Sequence, residues 1–401
     1  MTAVDRPAAC PYPFSEAEKL ALDPEYGRLR DNGELARVSM PYGGDAWLAT
    51  SYEDVKTVLA DPRFSRAATF NRDVPRTAPL IQSDPNLLSM DPPDHTRLRK
   101  LVAKAFTARR MEGLRPRAQE VVDELLDRMI EQGPPADLVE GLALPLPITM
   151  ICELLGVPYE DRDRFRAWSD AVLSLTAHTV DQIAEARDEL KAYLAGLVEQ
   201  RREKPTDDLL GVLVLARDEE ERLSEAELVQ FGVTLLVAGH ETTANQIGNF
   251  VYTLLSDRER WAELRADPEL LNPAIEELMR FTPLGSNAGF PRIALEDVEL
   301  SGTLVRAGEA VLTQNAAANR DKSVWDKPEE LDFHREHNPH IAFGHGAHHC
   351  LGAQLARVEL QVAVGSLLKR MPDLRFAVPA EQVPFKHGRL VRGLRSMPVA
   401  W

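Results

Sequence analysis

The chain has 401 residues and a formal charge of -16, with 44% hydrophobic and 27% charged residues. That balance describes an ordinary folded protein and excludes a disordered or collagen-like chain, while so acidic a surface would repel a nucleic-acid backbone. A chain of this length buries roughly three quarters of its unfolded surface, enough to enclose a sizeable ligand.

The three cysteines, Cys10, Cys152 and Cys350, are odd in number and far apart. They give no disulfide framework, which predicts a cytoplasmic protein with a free thiol at Cys350. Residues 1–10 read as a short flexible lead into a single domain spanning 1–401, and the opening run to Pro13 holds no apolar stretch that could act as a signal or anchor. Leu228–Leu255 is the most membrane-like stretch. His240, Glu241, Asn245, Gln246 and Asn249 interrupt it, so it predicts a buried helix and no membrane partner.

In chain order, Val38–Tyr42 and Asp45–Thr50 flank Gly43-Gly44 as a hairpin. Apolar residues at spacings of 3 and 4 then predict helices over Tyr52–Ala60, Asp94–Phe106, Gly113–Gln132, Pro158–Leu175 and Thr179–Arg202. Ser224 and Glu227 form a capping box that opens a helix reaching Leu255. At about 32 residues and 1.5 Å per residue it would run roughly 48 Å, the width of the molecule. Strand signals return at Phe290–Ile293, Val298–Leu300, Ala310–Gln314 and in the tail from Leu374 to Val399, with helix formers over Gln354–Gln361. Strands at both ends of the chain imply one interleaved unit, mainly α with a small β-rich lobe.

Three distant motifs carry chemistry. On the long helix, Gly232, Gly239 and Gln246 recur every seven residues beside Leu235 and Thr242, so one face is small and polar where an apolar stripe is expected. A flat ligand could approach Gly239, and Glu241 and Thr242 supply an acid and an alcohol able to relay protons. A solvated polar patch is the plainer alternative. Glu277 and Arg280, three apart, fit the common surface pair worth about 0.3 kcal/mol. His95 and Arg99, four apart, share a helix face and could both donate to one carboxylate, or simply solvate that face.

The fourth motif is Phe343-Gly-His-Gly-Ala-His-His-Cys350-Leu-Gly352, a glycine-rich turn that leads into a helix. A thiol near a helix N-terminus has its pKa lowered and its anion stabilised for metal binding. Six of the ten histidines lie between His334 and His349. A zinc site from His345, His348, His349 and Cys350 therefore stands beside a haem thiolate and a merely buried cysteine, although no second CxxC or HxxxH half-site accompanies it.

Together, and in this order, these motifs resemble the cytochrome P450 family from about Pro11 to Met397. The cysteine signature appears as Phe343, Gly344, Gly346, His348, Cys350 and Gly352, the oxygen-activation motif as Ala238 to Thr243, and the Glu-x-x-Arg motif as Glu277 and Arg280. The segments His95–Arg99, Phe290-Pro-Arg292-Ile-Ala and Ala318–Asp321 are similar to those of soluble bacterial members. The resemblance implies the cytochrome P450 fold and a haem b with Cys350 as axial ligand. It further implies Phe343 and Gly344 beside the sulfur, and Ala238 and Gly239 against the macrocycle. His95, Arg99, Arg292 and His348 would hold the propionates, Glu241 and Thr242 would manage protons, and Glu277 with Arg280 would be structural. By the same resemblance Leu88 in the Leu80–Met90 loop, Val237, Ala238, Ser286, Asn287 and Leu390 would wall the substrate pocket.

The activity so implied is a monomeric monooxygenase that takes two electrons from NAD(P)H through ferredoxin and ferredoxin reductase. It would hydroxylate or epoxidise a medium-to-large natural product as its small-molecule substrate. Oxidative coupling of such a substrate, or a haem sensor or carrier, are the alternatives. His349 departs from the family pattern, where an aromatic residue is common among bacterial members, which bears on proximal polarity. His240 receives no role. Arg97, Arg99, Lys100, Lys104, Arg109, Arg110, Arg115 and Arg117 face only Glu112 over that stretch. In so acidic a protein this basic island reads as a dock for an acidic ferredoxin.

Overall fold

The structure, a computed structural model, describes residues 7–16, 18–83, 86–103, 105–218 and 223–401. Lys104, part of the Leu80–Met90 loop (84 and 85) and residues 1–6 of the N-terminal lead lie outside the described residues. The helices are α1 Pro24–Asn32, α2 Tyr52–Ala60, α3 Asp94–Ala103, α4 Ala108–Glu112, α5 Arg115–Gln132, α6 Pro145–Leu155, α7 Arg162–Val172, α8 Val180–Glu203, α9 Leu209–Asp218, α10 Glu225–Ser256, α11 Arg258–Ala266, α12 Leu271–Phe281, α13 Asn315–Ala318 and α14 Ala353–Arg370.

The strands are β1 Cys10–Pro11, β2 Ala36–Ser39, β3 Asp45–Ala49, β4 Phe64–Ser65, β5 Ala136–Asp137, β6 Arg292–Ala294, β7 Val298–Leu300, β8 Thr303–Val305, β9 Ala310–Thr313, β10 Arg375–Phe376 and β11 Pro398–Ala400. The larger sheet has the order β1-β2-β3-β9-β6-β4, so strands from both ends of the chain interleave in it. The expected hairpin is β2-β3, with Ala36 opposite Leu48 and Ser39 opposite Asp45. A second sheet joins β10, β11 and β5, which ties the tail to the middle of the chain.

α10 extends over 32 residues and opens with the capping box, Glu227 N–H donating to Ser224 Oγ and Ser224 N–H to Glu227 Oε2. Its small residues are sites of close packing. A Cβ on Gly232 would lie 2.8 Å from Leu194 of α8, and one on Gly239 would lie 2.7 Å from Ile151 of α6. No described helix is long and apolar enough to cross a membrane.

The Glu277–Arg280 pair is not the weak surface bridge that its spacing suggests. Both side chains are buried, 1% and 0% exposed, with a guanidinium-carboxylate distance of 2.7 Å. Glu277 also accepts from Arg335 (3.0 Å), Asn338 (3.2 Å) and the Asp332 backbone N–H (3.0 Å). Arg280 donates in turn to the carbonyls of Asn319, Pro328 and Glu330. Bidentate geometry and filled lone pairs are what make such a pair tolerable away from water. The pair thus fixes the irregular chain between 319 and 338, whose continuation is the Cys350 turn. Replacing Glu277 by Ala would leave the fully buried Arg280 guanidinium without its carboxylate, and urea unfolding of E277A should show a loss of about 3–5 kcal/mol. A loss near the 0.3 kcal/mol of a surface pair would refute the bracing role.

Candidate functional site

The Cys350 turn is shaped by backbone constraints before any side chain matters. Gly344 and Gly346 have φ of +76° and +69°, where a Cβ is strained, and a Cβ on Gly346 would sit 2.6 Å from the Leu59 carbonyl of α2. Cys350 N–H donates to the Phe343 carbonyl at 2.8 Å, which closes the loop and aims the thiol between α10 and α14. Gly352, by contrast, has an ordinary φ of -85° and caps α14. Arg357 lies 4.6 Å over the Phe343 ring and pairs with Glu276 at 2.7 Å, while His340 reaches the same carboxylate at 3.0 Å. Although burial would raise Glu276, Arg357 and His340 hold its carboxyl down at about 2.

Cys350 opens onto a cavity of about 320 Å³ whose walls come from α10, α14, α3 and the loop around Leu87 and Leu88. Most of the lining is apolar, with Phe106, Ile151, Phe231 and Leu235 among it. Burial pushes the Cys350 thiol up, against the Gly352 N–H and the charges of Arg99 and Arg357, which act the other way. This corrects the expectation that the helix N-terminus would lower it. Removing a thiolate from water outweighs the dipole unless a bound cation compensates.

Beside the cavity lies a cluster of basic groups. Arg66 and Arg292 are buried, their guanidinium groups pushed down to about 9 and about 10, chiefly by burial. His348 is pushed down to about 3 by burial and then by His95, Arg292 and Arg66. The His95 and His348 rings lie 4.3 Å apart, and burial also lowers His95. His95 Nε2 is buried without a hydrogen-bond partner. Arg99 lines the cavity and donates to the His349 carbonyl. Among the described residues the one acid acting on this cluster is Asp91, which accepts from the Arg66 backbone N–H at 2.9 Å and from the Ser65 hydroxyl. Buried cations with so little compensation, together with an orphaned imidazole nitrogen, fit an anionic ligand group.

A single flat ligand fits both ends: a cation for the sulfur and carboxylates for the basic cluster. The zinc alternative finds no support, since the described residues gather no group of three or more His, Cys, Asp or Glu side chains that could hold a metal. His345 and His349 do not converge with His348 on Cys350 as a tetrahedral site requires. Arg66 was missed by sequence reasoning, because it stands alone in a loop where no spacing singles it out.

The structure divides the remaining residues. Ala238, Gly239, Thr242, Phe343, His348 and Leu88 line the cavity. Gly344 shapes the turn behind it, and Glu277 with Arg280 lies deeper, in the brace already described. Thr242 Oγ1 donates to the Ala238 carbonyl at 2.7 Å. Glu241 is not among the lining residues. Its Oε2 accepts from Asn245 at 2.9 Å and lies 3.6 Å from Lys386, while its Oε1 is buried and unpartnered. Burial would raise this carboxyl, but Lys386, His240 and Asn245 together lower it. Val237 packs into the core shared with α6 and α8. Ser286, Asn287 and Leu390 also fall outside the lining, where Ser286 N–H donates to the Leu390 carbonyl and Leu390 N–H to Leu173. Leu284, two residues before Ser286, does reach the cavity.

Known proteins resemble this chain in sequence and fold. The family model for cytochrome P450 matches residues 39–388. The chain is 56% identical over 391 residues to nocardicin C N-oxygenase of Nocardia uniformis subsp. tsuyamanensis, covering 97% of this chain and 98% of that one. It is 50% identical over 390 residues to mycinamicin IV hydroxylase/epoxidase of Micromonospora griseorubida, with 97% and 98% covered. The crystal structure of HinD with NMFT and NO superposes with a TM-score of 0.97 at 51% identity, covering 99% of this chain and all of that one.

The Glu276 grip on Arg357 and His340 has a pH signature. Its folded value of about 2 lies below the ordinary 4.5. It therefore stabilises fully above about pH 4.5 and fades as the pH falls toward about 2. E276Q should be less stable than wild type at pH 7 in chemical unfolding, and the gap should close across that window. A gap that stays constant with pH would refute the assignment.

Proposed function

The chain belongs to the cytochrome P450 family and is a monooxygenase of that family, and from this premise we propose how its residues divide the work and what it acts on. The observation that carries the reading is the Cys350 thiol opening on an apolar cavity with the Arg66–Arg292–His95–His348 cluster beside it. Cys350 would hold haem iron through its thiolate, and His95, Arg66, Arg99, Arg292 and His348 would take the two propionates. Bound through a thiolate, haem supplies oxygen activation and insertion of one oxygen atom, a chemistry that consumes two electrons and two protons.

The protein side of that chemistry lies on α10. Thr242 spends its own proton on the Ala238 carbonyl and so turns its oxygen lone pairs outward, which makes it an acceptor and relay at the cavity. Glu241 is held as a carboxylate facing Lys386, and rotation of its side chain would carry protons from that side to Thr242. Ala238 and Gly239 keep the wall thin beside them. Away from Arg99, His348, His349 and Cys350 the lining is mostly apolar, with Thr234, Thr242, Thr243 and Gln246 as its polar points, which supports a medium-to-large natural product as substrate. The names of the two relatives, a nocardicin C N-oxygenase and a mycinamicin IV hydroxylase/epoxidase, support a natural product as substrate and oxygen insertion as the reaction, with oxidative coupling of such a substrate as the alternative.

Electrons would come from NAD(P)H through a ferredoxin reductase and an acidic ferredoxin. The basic island is smaller than the sequence suggests, because Arg97 pairs with Glu227, Arg115 with Glu112, and Arg117 with Glu120 and Glu153. Lys100, Arg109 and Arg110 are exposed, with no acid paired to them among the described residues, and are the proposed contacts.

Reduced, CO-treated wild type should show the far red-shifted Soret band of a thiolate haem, and C350S should lose it. Absence of that band in wild type would overturn the reading. In a reconstituted assay with a saturating ferredoxin reductase, T242A should keep consuming NAD(P)H while product falls roughly tenfold or more. Charge reversal at Lys100, Arg109 and Arg110 should instead slow NAD(P)H consumption itself by roughly tenfold at low salt, with the gap closing at high salt. Coupled turnover in T242A, or a salt-independent rate in the charge-reversal variant, would count against the respective assignment.

A further inference from the structure

Arg66 follows β4, whose pairing with β6 sets Ser65 opposite Ile293 and so places Arg66 in register with Arg292. It is 7% exposed and divides its donors between two loops. Nε donates to the Leu88 carbonyl at 2.9 Å and Nη1 to the Pro291 carbonyl, while Cζ lies 5.1 Å from the centre of the Phe290 ring. Leu88 belongs to the short turn Leu87–Ser89, which Asn86 caps from its start by accepting from the Leu88 and Ser89 N–H groups. Leu87 and Leu88 both line the cavity. This piece of wall therefore hangs between Asn86 at one end and Arg66 at the other. Asp91 has little left for the charge, since its oxygens accept from the Arg66 and Ala67 N–H groups and from the Ser65 hydroxyl. Nη2 of Arg66 has no hydrogen-bond partner among the described residues and is left for an anion.

We propose that Arg66 is a positioning residue for substrate selection: one guanidinium holds the Leu88 and Pro291 carbonyls and, through Nη2, a haem carboxylate, so that the haem edge fixes where the Leu87–Leu88 wall stands. The carboxylate in this proposal rests on the haem reading above. A guanidinium carries its five N–H donors in fixed directions, so docking one of them sets the others. Bonds from a charged donor are also the strong ones. A bulky ligand packs against the wall that Arg66 holds, whereas a small ligand of iron does not need it.

Titration of the ferric holoenzyme with two iron-binding azoles, imidazole and the triaryl-substituted clotrimazole, tests this through the Soret shift each produces. R66K keeps a cation for the carboxylate, but one ammonium on a flexible stem cannot serve both carbonyls and stack on Phe290. Clotrimazole affinity should fall roughly tenfold in R66K while imidazole affinity stays within about twofold, and amide hydrogen exchange across 86–90 should speed up. Unchanged clotrimazole affinity, an equal loss for both azoles, or unchanged exchange overturns the proposal. F290A is the second variant, because Phe290 is 53% exposed and does not line the cavity. It removes only the stacking surface, so the selective clotrimazole loss should recur at about threefold. If R66K does not fold, an unchanged ratio of the two affinities in F290A overturns the proposal. A wild type without the thiolate Soret band would sink the haem reading, whereas a normal band with an unchanged azole ratio sinks this proposal alone.

Discussion

Charge removed from water at the foot of α12 governs the arrangement of the cysteine side of the molecule. Glu277 is 1% exposed, so its lone pairs must be met by protein, and Arg280, Arg335, Asn338 and the Asp332 N–H meet them. Arg335, Asn338 and the Asp332 N–H come from a stretch with almost no regular structure of its own, and the network supplies the constraint that a helix or strand would otherwise provide. The residue before it, Glu276, faces the other way and clamps Arg357 of α14 and His340. Two adjacent carboxylates on one helix therefore hold both ends of the segment that presents Cys350.

The opposite wall depends on what α10 lacks. Gly232 and Gly239 let α8 and α6 approach so closely that a single Cβ would collide with Leu194 or Ile151. The heptad of small residues serves helix packing as much as it serves the cavity, and the two functions coincide at Gly239. Between the walls the charges are deliberately unbalanced. A thiol pushed up by burial and a knot of cations with little acid nearby both call for a ligand carrying the complementary charges.

Much of this was legible in the residues. Strong periodicity located α2, α8 and α10 to within a residue or two, and the Ser224–Glu227 box marked the start of α10. α6 and α9 escaped because they are apolar nearly all round, which leaves no amphipathic period to detect. α1 and α11 escaped for the opposite reason, being short and polar and defined mainly by the Asp23 and Asp257 caps. In the site, Phe343, His348 and Cys350 of the turn and Ala238, Gly239 and Thr242 of α10 reach the cavity, while Glu241 does not. Those taken from looser stretches, Val237, Ser286, Asn287 and Leu390, do not line it, because where a side chain faces in a turn depends on pairings such as Ser286 with Leu390.

The sequence by itself determined the chemical inventory: one thiol in a glycine turn, an acid and an alcohol on a long helix, and cations at helical spacing near His95. Local rules act within a few residues, and those features are local. Only the tertiary structure decided which of them meet. It buried Glu277 and Arg280, where spacing alone predicted a surface pair, and brought Arg66 beside Arg292 across 226 positions of chain. It turned Glu241 toward Lys386 while leaving Thr242 at the cavity. Burial sets the cost of every charge, and burial is a property of the packed whole that no window of sequence contains.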